Sequence, residues 1–176
     1  KSIYYIISAF TLLLTGCTDF LDRSPYNDLS GNTVWTSDAN ALMQLNGVYK
    51  QTKNGWSMQG DCYHFTCFGP DGYDYFRNSN IEMATSTTRD GIFLAAYQDY
   101  YKVINAANDA IANLTDNPNI TPKLRERMIG EARFLRGFSY FMLWQLYGGV
   151  IILDKPTQPI DTYLPRNTAD QVRDFV

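Results

Sequence analysis

The chain is poor in the residues on which most metal sites and catalytic triads depend. Its 176 residues include one histidine, His64, and three cysteines, Cys17, Cys62 and Cys67. A structural zinc site takes about four nitrogen or sulfur ligands, so His64 with its two neighbouring thiols falls short. With a single histidine, the sequence gives no indication of a Ser-His-Asp triad. No glycine-rich phosphate-binding loop precedes a predicted helix either. We therefore expect no metal, no cofactor and no catalytic residues.

Strong charge of one sign is also lacking. The formal net charge is −3, and because Lys1 is the only charged residue among the first 16, residues 17–176 carry 14 basic and 18 acidic side chains. A nucleic-acid surface needs clustered basic residues, which this mildly acidic composition does not supply. The sequence therefore excludes nucleic acid from the expected partners.

No apolar run is long enough to cross a bilayer, which takes about 20 residues. The longest run, residues 3–14, follows Lys1 and leads into Leu14-Thr15-Gly16-Cys17. A basic start, a short apolar stretch and small residues at a cut site are typical of a secretory signal. The cysteine matches the bacterial lipobox, in which its sulfur receives a diacylglyceryl group. We predict a lipoprotein signal peptide at residues 1–16, lipidation of Cys17, and anchoring to a membrane through acyl chains.

The other two cysteines, Cys62 and Cys67, lie five residues apart. An exported protein permits a local disulfide between them. Two free thiols remain the alternative, and the sequence does not decide between them.

The remaining pattern predicts an all-α protein. Residues 17–35 are polar and are predicted to form a tether, with a helical domain at residues 36–176. A first helix is expected to begin near Thr36-Ser37-Asp38, which are good capping residues. It ends at the turn sequence of residues 53–55.

Two longer helices are predicted to form an antiparallel hairpin. Seven apolar residues at steps of four and three define the first: Phe93, Tyr97, Tyr100, Ile104, Ala107, Ile111 and Leu114. Pro118 stops it, and Thr121-Pro122 starts the second, which runs to about Tyr147 before Gly148-Gly149. A last helix starts at Thr168, where Gln171 completes a capping-box pattern. Its apolar face has no later element to pair with, so we expect an N-terminal portion of a longer protein.

Residues 55–91 form a long irregular stretch between the first two helices. Seven aromatic residues fall between Trp56 and Phe76. A loop of this length inside a compact domain is usually functional. For a glycosidase it would have to hold two carboxylates at a defined separation, and nothing fixes the geometry of its acidic residues, Asp61, Asp71, Asp74 and Glu82.

Several strings resemble the SusD/RagB family of outer-membrane nutrient-binding lipoproteins. They are "CTDFLDRSP" at 17–25, "YYKVINAANDAI" at 100–111, "GEARFLRGFSYFMLWQLYGGV" at 130–150 and "LPRNTADQV" at 164–172. The resemblance covers essentially the whole chain after Cys17. It implies tetratricopeptide-like helical hairpins carrying long loops, arranged as an α-superhelix. It also implies a non-catalytic protein at the cell exterior that binds glycans above a TonB-dependent transporter of the SusC type.

Within the aromatic stretch, six residues have the chemistry that sugar binding needs. Flat rings stack on sugar faces, and planar amide or guanidinium groups pair with hydroxyls. The candidate ligand-binding residues are Trp56, Tyr73, Tyr75, Arg77, Asn78 and Arg89. The alternative is that these side chains fill the space between the loop and the helices.

Three charged residues of the second long helix are predicted to be structural. Glu131 lies on the apolar stripe between Met128 and Leu135, and a buried carboxylate needs a partner. Arg133 and Arg136 are the candidates, so we predict a structural ion pair among these residues.

Two functions therefore remain. The first is an outer-membrane lipoprotein that binds oligosaccharides and passes them to a SusC-like transporter. The second is a helical-repeat protein whose ligand is a peptide or a protein. Exposed rings in an arc favour sugar, whereas a charged or apolar concave groove favours peptide.

Overall fold

The computed structural model describes residues 34–53, 69–70, 72, 85–87, 89–158 and 163–176. Within those ranges the regular structure is helical, with no strand. Helix α1 is Asp38–Thr52, α2 is Gly91–Leu114, α3 is Pro122–Tyr147 and α4 is Ala169–Phe175. The predicted all-α class is confirmed. The predicted signal peptide, most of the tether, and all three cysteines lie outside the described residues.

The compact unit spans Val34–Val176 and so begins two residues before the predicted domain start at residue 36. Val34 and Trp35 are buried in the core rather than extended in a tether. Ser37 caps α1 by accepting a hydrogen bond from the amide of Asn40 at 3.3 Å. The sequence predicted a helix cap among the small polar residues 36–38, and Ser37 supplies it.

Helices α2 and α3 form the predicted antiparallel hairpin. Their contacts run in opposite directions along the chain, because Tyr147 bonds to Phe93 near one end while Arg136 bonds to Asn108 further along. The turn between them contains Asp116 in the left-handed region at φ 57°. Its neighbour Asn117 donates to the carbonyls of Asn113 and Trp35, so the turn also holds the segment that leads into α1.

Two clusters of buried side chains make up the core. One joins α1 to the adjoining halves of α2 and α3; its members include Leu45, Val103, Ala107, Met128 and Leu135. The other joins the far half of the hairpin to α4; its members include Tyr100, Ile104, Tyr140, Leu143 and Val172. Small residues at Ala107 and Ala132, both fully buried, let the two long helices approach closely.

The end of α3 is closed by glycine and arginine together. Gly148 has φ 66°, a conformation that glycine adopts without steric cost. Arg166 donates through Nε to the carbonyl of Gly149 at 2.9 Å and through Nη2 to that of Tyr147 at 3.1 Å. A guanidinium at a helix C-terminus satisfies orphan carbonyls and complements the helix dipole.

Helix α4 begins with the capping box that the sequence predicted. Thr168 Oγ1 accepts from the amide of Gln171 at 3.2 Å, and Gln171 Oε1 accepts from the amide of Thr168 at 2.8 Å. Gly149 packs closely against the chain that leads into α4, since a Cβ at this position would collide with the carbonyl oxygen of Asn167.

The ion pair predicted for Glu131 has a different partner. Glu131 Oε1 pairs with Nε of Arg127 at 3.0 Å, and its Oε2 accepts from the hydroxyl of Tyr49 at 3.0 Å. Arg127 precedes Glu131 by four residues and therefore shares its face of α3, whereas Arg133 and Arg136 do not. Arg133 is exposed, and Arg136 instead donates to Asn108 Oδ1 at 2.8 Å and to the carbonyl of Asp154 at 3.0 Å.

Candidate functional site

A cavity of about 550 Å³ opens where the start of α2 meets the end of α3. It lies beside the short described segment of residues 85–87, which leads from the aromatic stretch into α2. The described residues that line it are Ser86, Thr87, Phe93, Leu94, Tyr97, Leu146, Tyr147 and Arg166. Pockets that hold small ligands are typically apolar with a few polar groups at fixed positions, and this lining has that composition.

Tyrosine rings form the wall of the cavity. The ring of Tyr97 lies edge-on to Tyr147 with centroids 5.3 Å apart, and it packs on Tyr101 at 4.7 Å. Tyr147 donates its hydroxyl proton to the carbonyl of Phe93 at 2.5 Å, which ties the two helices together at this end. Because each ring is held by its neighbours, the wall is formed before any ligand arrives.

The hydroxyl group of Tyr147 in this wall, and those of Tyr101 and Tyr140 behind it, stay protonated. Burial raises the pKa of Tyr147 to about 12, and it raises the pKa of Tyr140, behind the wall, to about 12 as well. Burial also raises the pKa of Tyr101, whose hydroxyl donates to the carbonyl of Ile151 at 2.5 Å. Tyr147 therefore presents a neutral hydroxyl and a ring surface at physiological pH and is not poised as a general base.

The rim of the cavity is polar. Asp90, the residue before α2, accepts from the amide of Thr87 at 3.0 Å and from its hydroxyl at 3.4 Å. Ser86 Oγ is shielded from solvent and has no hydrogen-bond partner among the residues that the structure describes. Arg166 also lines the cavity and is held by its hydrogen bonds to the end of α3. Leu94, by contrast, is 60% exposed, so an apolar side chain faces solvent at the mouth of the cavity.

Of the six residues predicted to bind ligand, Arg89 alone falls in a described range. It is exposed, and its amide donates to Thr87 Oγ1 at 3.3 Å, which places its backbone at the rim. The other five, Trp56, Tyr73, Tyr75, Arg77 and Asn78, lie outside the described residues, as do Cys62 and Cys67. Their grouping into one site stays a prediction.

The residues that do line the cavity were not selected as ligand contacts from the sequence. Phe93 and Tyr97 belong to the apolar register of α2, and that periodicity indicates core rather than site. The register does not show that the first turns of α2 reach beyond the core, leaving Phe93 and Tyr97 half-buried. Arg166 stands in a loop with no periodicity, so its position at the cavity depends on tertiary structure.

Among the described residues no group of three or more His, Cys, Asp or Glu could hold a metal ion. None of the helices in the described ranges has the length and hydropathy needed to span a bilayer. What the cavity offers is ring faces, neutral hydroxyls and one guanidinium, which are the groups of a binding site.

Such a cavity on helical hairpins is suited to binding a ligand, and comparison with known sequences identifies the family of the chain. Residues 19–176 match the SusD-like family described as starch-binding and associating with the outer membrane. The chain belongs to this family. The family description is one of binding, which agrees with the prediction that the protein is not an enzyme.

Individual relatives are distant in sequence. A SusD-like protein of Bacteroides ovatus is 24% identical over the whole of this chain and 33% of its own length. SusD-like protein P38 of Formosa agariphila is 26% identical over 99% of this chain and 35% of its own length. The chain therefore spans about a third of the length of the curated relatives it matches.

Solved structures share the fold. A SusD-like carbohydrate-binding protein of Bacteroides fragilis superposes with a TM-score of 0.67 at 18% identity, over 81% of this chain and 30% of the other. A second SusD-like protein of the same organism gives 0.69 at 22% identity, over 87% of this chain and 30% of the other. The helical hairpin architecture is thus that of SusD-like proteins.

Proposed function

We propose that the full-length protein is an outer-membrane lipoprotein that binds oligosaccharides and passes them to a SusC-like, TonB-dependent transporter. The observation that carries the binding step is the cavity between α2 and α3, with the rings of Tyr97 and Tyr147 along its wall. Ring faces pack against the C–H surfaces of sugars, and fixed hydroxyls and guanidinium groups supply hydrogen bonds. Membership of a starch-binding family supports the ligand class.

The aromatic stretch is proposed as a second part of the same site. Ser86 and Thr87, which follow this stretch in the sequence and precede Arg89, line the cavity. In this proposal Trp56, Tyr73, Tyr75, Arg77, Asn78 and Arg89 extend the contacts beyond the cavity. The lipobox at Cys17 supports the anchor, which would hold the site at the membrane surface facing the cell exterior.

Two matched variants of the full-length protein test the cavity by isothermal titration with a panel of neutral oligosaccharides. Leu94→Ala removes an exposed apolar contact at the mouth, and Met43→Ala removes one on α1, where Met43 is 52% exposed. Loss of about 1 kcal/mol of apolar contact weakens binding about fivefold. We expect that loss for Leu94→Ala and unchanged affinity for Met43→Ala.

The panel also separates the two ligand classes. Titration with peptides of mixed sequence is run beside the oligosaccharides. If the protein binds peptides but no oligosaccharide, and Leu94→Ala weakens that binding, the ligand of the cavity is a peptide rather than a sugar. Sugar binding that neither Leu94→Ala nor Tyr75→Ala changes would place the glycan site elsewhere in the protein.

A further inference from the structure

Arg166 is the one charged side chain among the described residues that line the cavity between the start of α2 and the end of α3. Two of its three guanidinium nitrogens are used at the end of α3, because Nε donates to Gly149 and Nη2 donates to Tyr147 and Gly149. Neither N–H group of Nη1 has an acceptor among the described residues. Arg166 is also exposed, so a ligand in the cavity can reach it. The cavity therefore offers a fixed guanidinium with two donors that no described residue uses.

No described carboxylate pairs with this guanidinium, since none of the ion pairs in the described ranges includes Arg166. The rim adds one charge of each sign, Arg89 and Asp90. Both oxygens of the Asp90 carboxylate accept from Thr87, one from its amide and the other from its hydroxyl. The carbonyls at the end of α3 offset about half of one unit charge. The described part of the cavity is therefore cationic, in a chain whose formal net charge is −3.

The same lining is short of hydrogen-bond acceptors. Its described residues include no Asp, Glu, Asn or Gln. The hydroxyl of Tyr147 already donates to a backbone carbonyl, and Ser86 Oγ is shielded from solvent. A sugar hydroxyl donates a proton as well as accepting one, so it needs acceptors, whereas a carboxylate or sulfate group only accepts. An acidic group therefore matches this lining better than a hydroxyl does.

A guanidinium also distinguishes an acidic group from a hydroxyl by energy. Charge-assisted hydrogen bonds are about twice as strong as those between neutral groups. The planar fork of arginine fits the geometry of a carboxylate, and the rings of Tyr97 and Tyr147 lower the local polarity in which the bond forms. Because the carbonyls of α3 already hold Arg166, little side-chain freedom is left to lose on binding.

We propose that the cavity binds an acidic oligosaccharide, whose uronate carboxylate or sulfate ester accepts hydrogen bonds from Nη1 of Arg166. The sugar ring that carries this group packs against the wall of Tyr97 and Tyr147. Neutral oligosaccharides bind the same cavity more weakly. This inference rests on the proposed function, because it names the class of oligosaccharide that the protein takes.

Isothermal titration of the full-length protein with matched pairs of oligosaccharides tests the acidic group. Uronate oligosaccharides are paired with their carboxyl-reduced forms, and sulfated oligosaccharides with their desulfated forms, so that the two sources of the acidic group are separated. In at least one pair we expect the acidic member to bind about tenfold more tightly, as replacement of a neutral hydrogen bond by a charge-assisted one gives. The preference should shrink between about 0.05 and 0.5 M salt, because Arg166 is exposed.

Two variants with the same loss of charge assign the preference to its residue. Arg166→Gln removes the guanidinium from the cavity, and Arg133→Gln removes an exposed guanidinium of α3 that does not line it. We expect Arg166→Gln to remove the tenfold preference for the acidic member and Arg133→Gln to keep it. Because Arg166 also closes the end of α3, Tm is measured for both variants. Should Arg166→Gln fail to fold, the pair comparison and its salt dependence in the unsubstituted protein decide.

The outcomes separate this inference from the proposed function. Neutral members that bind as tightly as their acidic counterparts would overturn the acidic ligand and leave oligosaccharide binding in place. A preference that survives Arg166→Gln would place the acidic group elsewhere, and an equal loss for both members of a pair would reduce Arg166 to a structural role. If no oligosaccharide of either kind binds, the proposed function fails and this inference fails with it.

Discussion

Asn108 links the α2–α3 hairpin to the segment that leads toward α4. Its side chain is 1% exposed. The amide nitrogen donates to the carbonyls of Leu153 at 2.8 Å and Lys155 at 3.1 Å, while Oδ1 accepts from Arg136 at 2.8 Å. Arg136 continues the link, because it also bonds to Asp154 and lies 5.5 Å from the ring centroid of Phe175 on α4. The side-chain amide of Asn108 thus joins three parts of the chain: α2, α3 and residues 153–155.

Replacing this amide should be costly. Asn108→Ala removes the side-chain donor to the carbonyl of Lys155 and one of two hydrogen bonds each from the carbonyl of Leu153 and from Arg136. We expect a loss of about 1–3 kcal/mol in the free energy of unfolding. Asn113→Ala on the same helix is the matched control, since Asn113 bonds only locally to Asp109. Urea denaturation should show about 0.5 kcal/mol or less for the control. Equal losses would mean that the link contributes nothing specific.

At the scale of elements, the hairpin depends on burial along α3. Leu135 is 2% exposed and belongs to the core cluster that joins α1, α2 and α3. Leu135→Ala should lower the free energy of unfolding by about 2–5 kcal/mol, as truncation of a buried leucine does. The same change at the exposed Leu94 should cost about 0.5 kcal/mol or less. Similar values in urea denaturation would show that the face assigned to the core is exposed.

Helices α1 and α3 are also joined by an exposed carboxylate. Asp38, in the first turn of α1, accepts from the hydroxyl of Thr121 at 2.6 Å and from its amide at 2.8 Å. Thr121 is the N-cap position of α3, so one side chain serves the starts of two helices. Both hydrogen bonds lower the pKa of Asp38 in the folded protein because they favour the charged form, and the bond from the Thr121 hydroxyl has the larger effect.

The direction of this shift sets a pH dependence. The pKa of Asp38 is lower in the folded protein than in the unfolded chain, so between these two values the unfolded chain binds more protons at Asp38. The stabilising contribution of Asp38 to folding is therefore complete above about pH 4 and is lost as pH falls through the pKa of the folded state. Asp38→Asn should therefore lower Tm by a constant amount from pH 7 to pH 5, and the difference should shrink below about pH 4. Glu126→Gln, another exposed carboxylate change on α3, is the control. A difference independent of pH down to pH 2 would rule out the charged hydrogen bonds as its cause.

The elements show how far local sequence rules reach. Caps and stops at Pro118, Thr121-Pro122, Gly148 and Thr168 act within a few residues, so the end of α2, both ends of α3 and the start of α4 could be predicted closely. The partner of Glu131 was also within reach of a local rule, because Arg127 stands four residues before it on the same helix face. The buried role of Asn108 was not, since its partners are 45 and 47 residues away in sequence.

For the whole molecule, the sequence indicated a binding protein but not the described cavity. Family strings and the aromatic stretch pointed to residues between Trp56 and Arg89. The cavity instead takes most of its described lining from the start of α2 and the end of α3. Those residues meet only because the hairpin is antiparallel. Their apolar spacing in the sequence predicts that they belong to the core rather than to a binding site. A site made from two helix ends and a loop is visible only after folding.

The proposed membrane anchor concerns the whole molecule as well, and it depends on one residue, Cys17. No helix in the described ranges can span a bilayer, and the apolar run before Cys17 is predicted to be cleaved. Acyl chains on Cys17 are then the proposed attachment, because two or more buried chains hold a protein stably where one does not. In a cell that expresses the full-length protein, Cys17→Ala should move it from the outer-membrane fraction to the soluble fraction. Cys62→Ala, which also removes a thiol, should leave the fractionation unchanged. Retention of Cys17→Ala in the membrane after a salt wash would show that another part of the protein, or another membrane protein, holds it there.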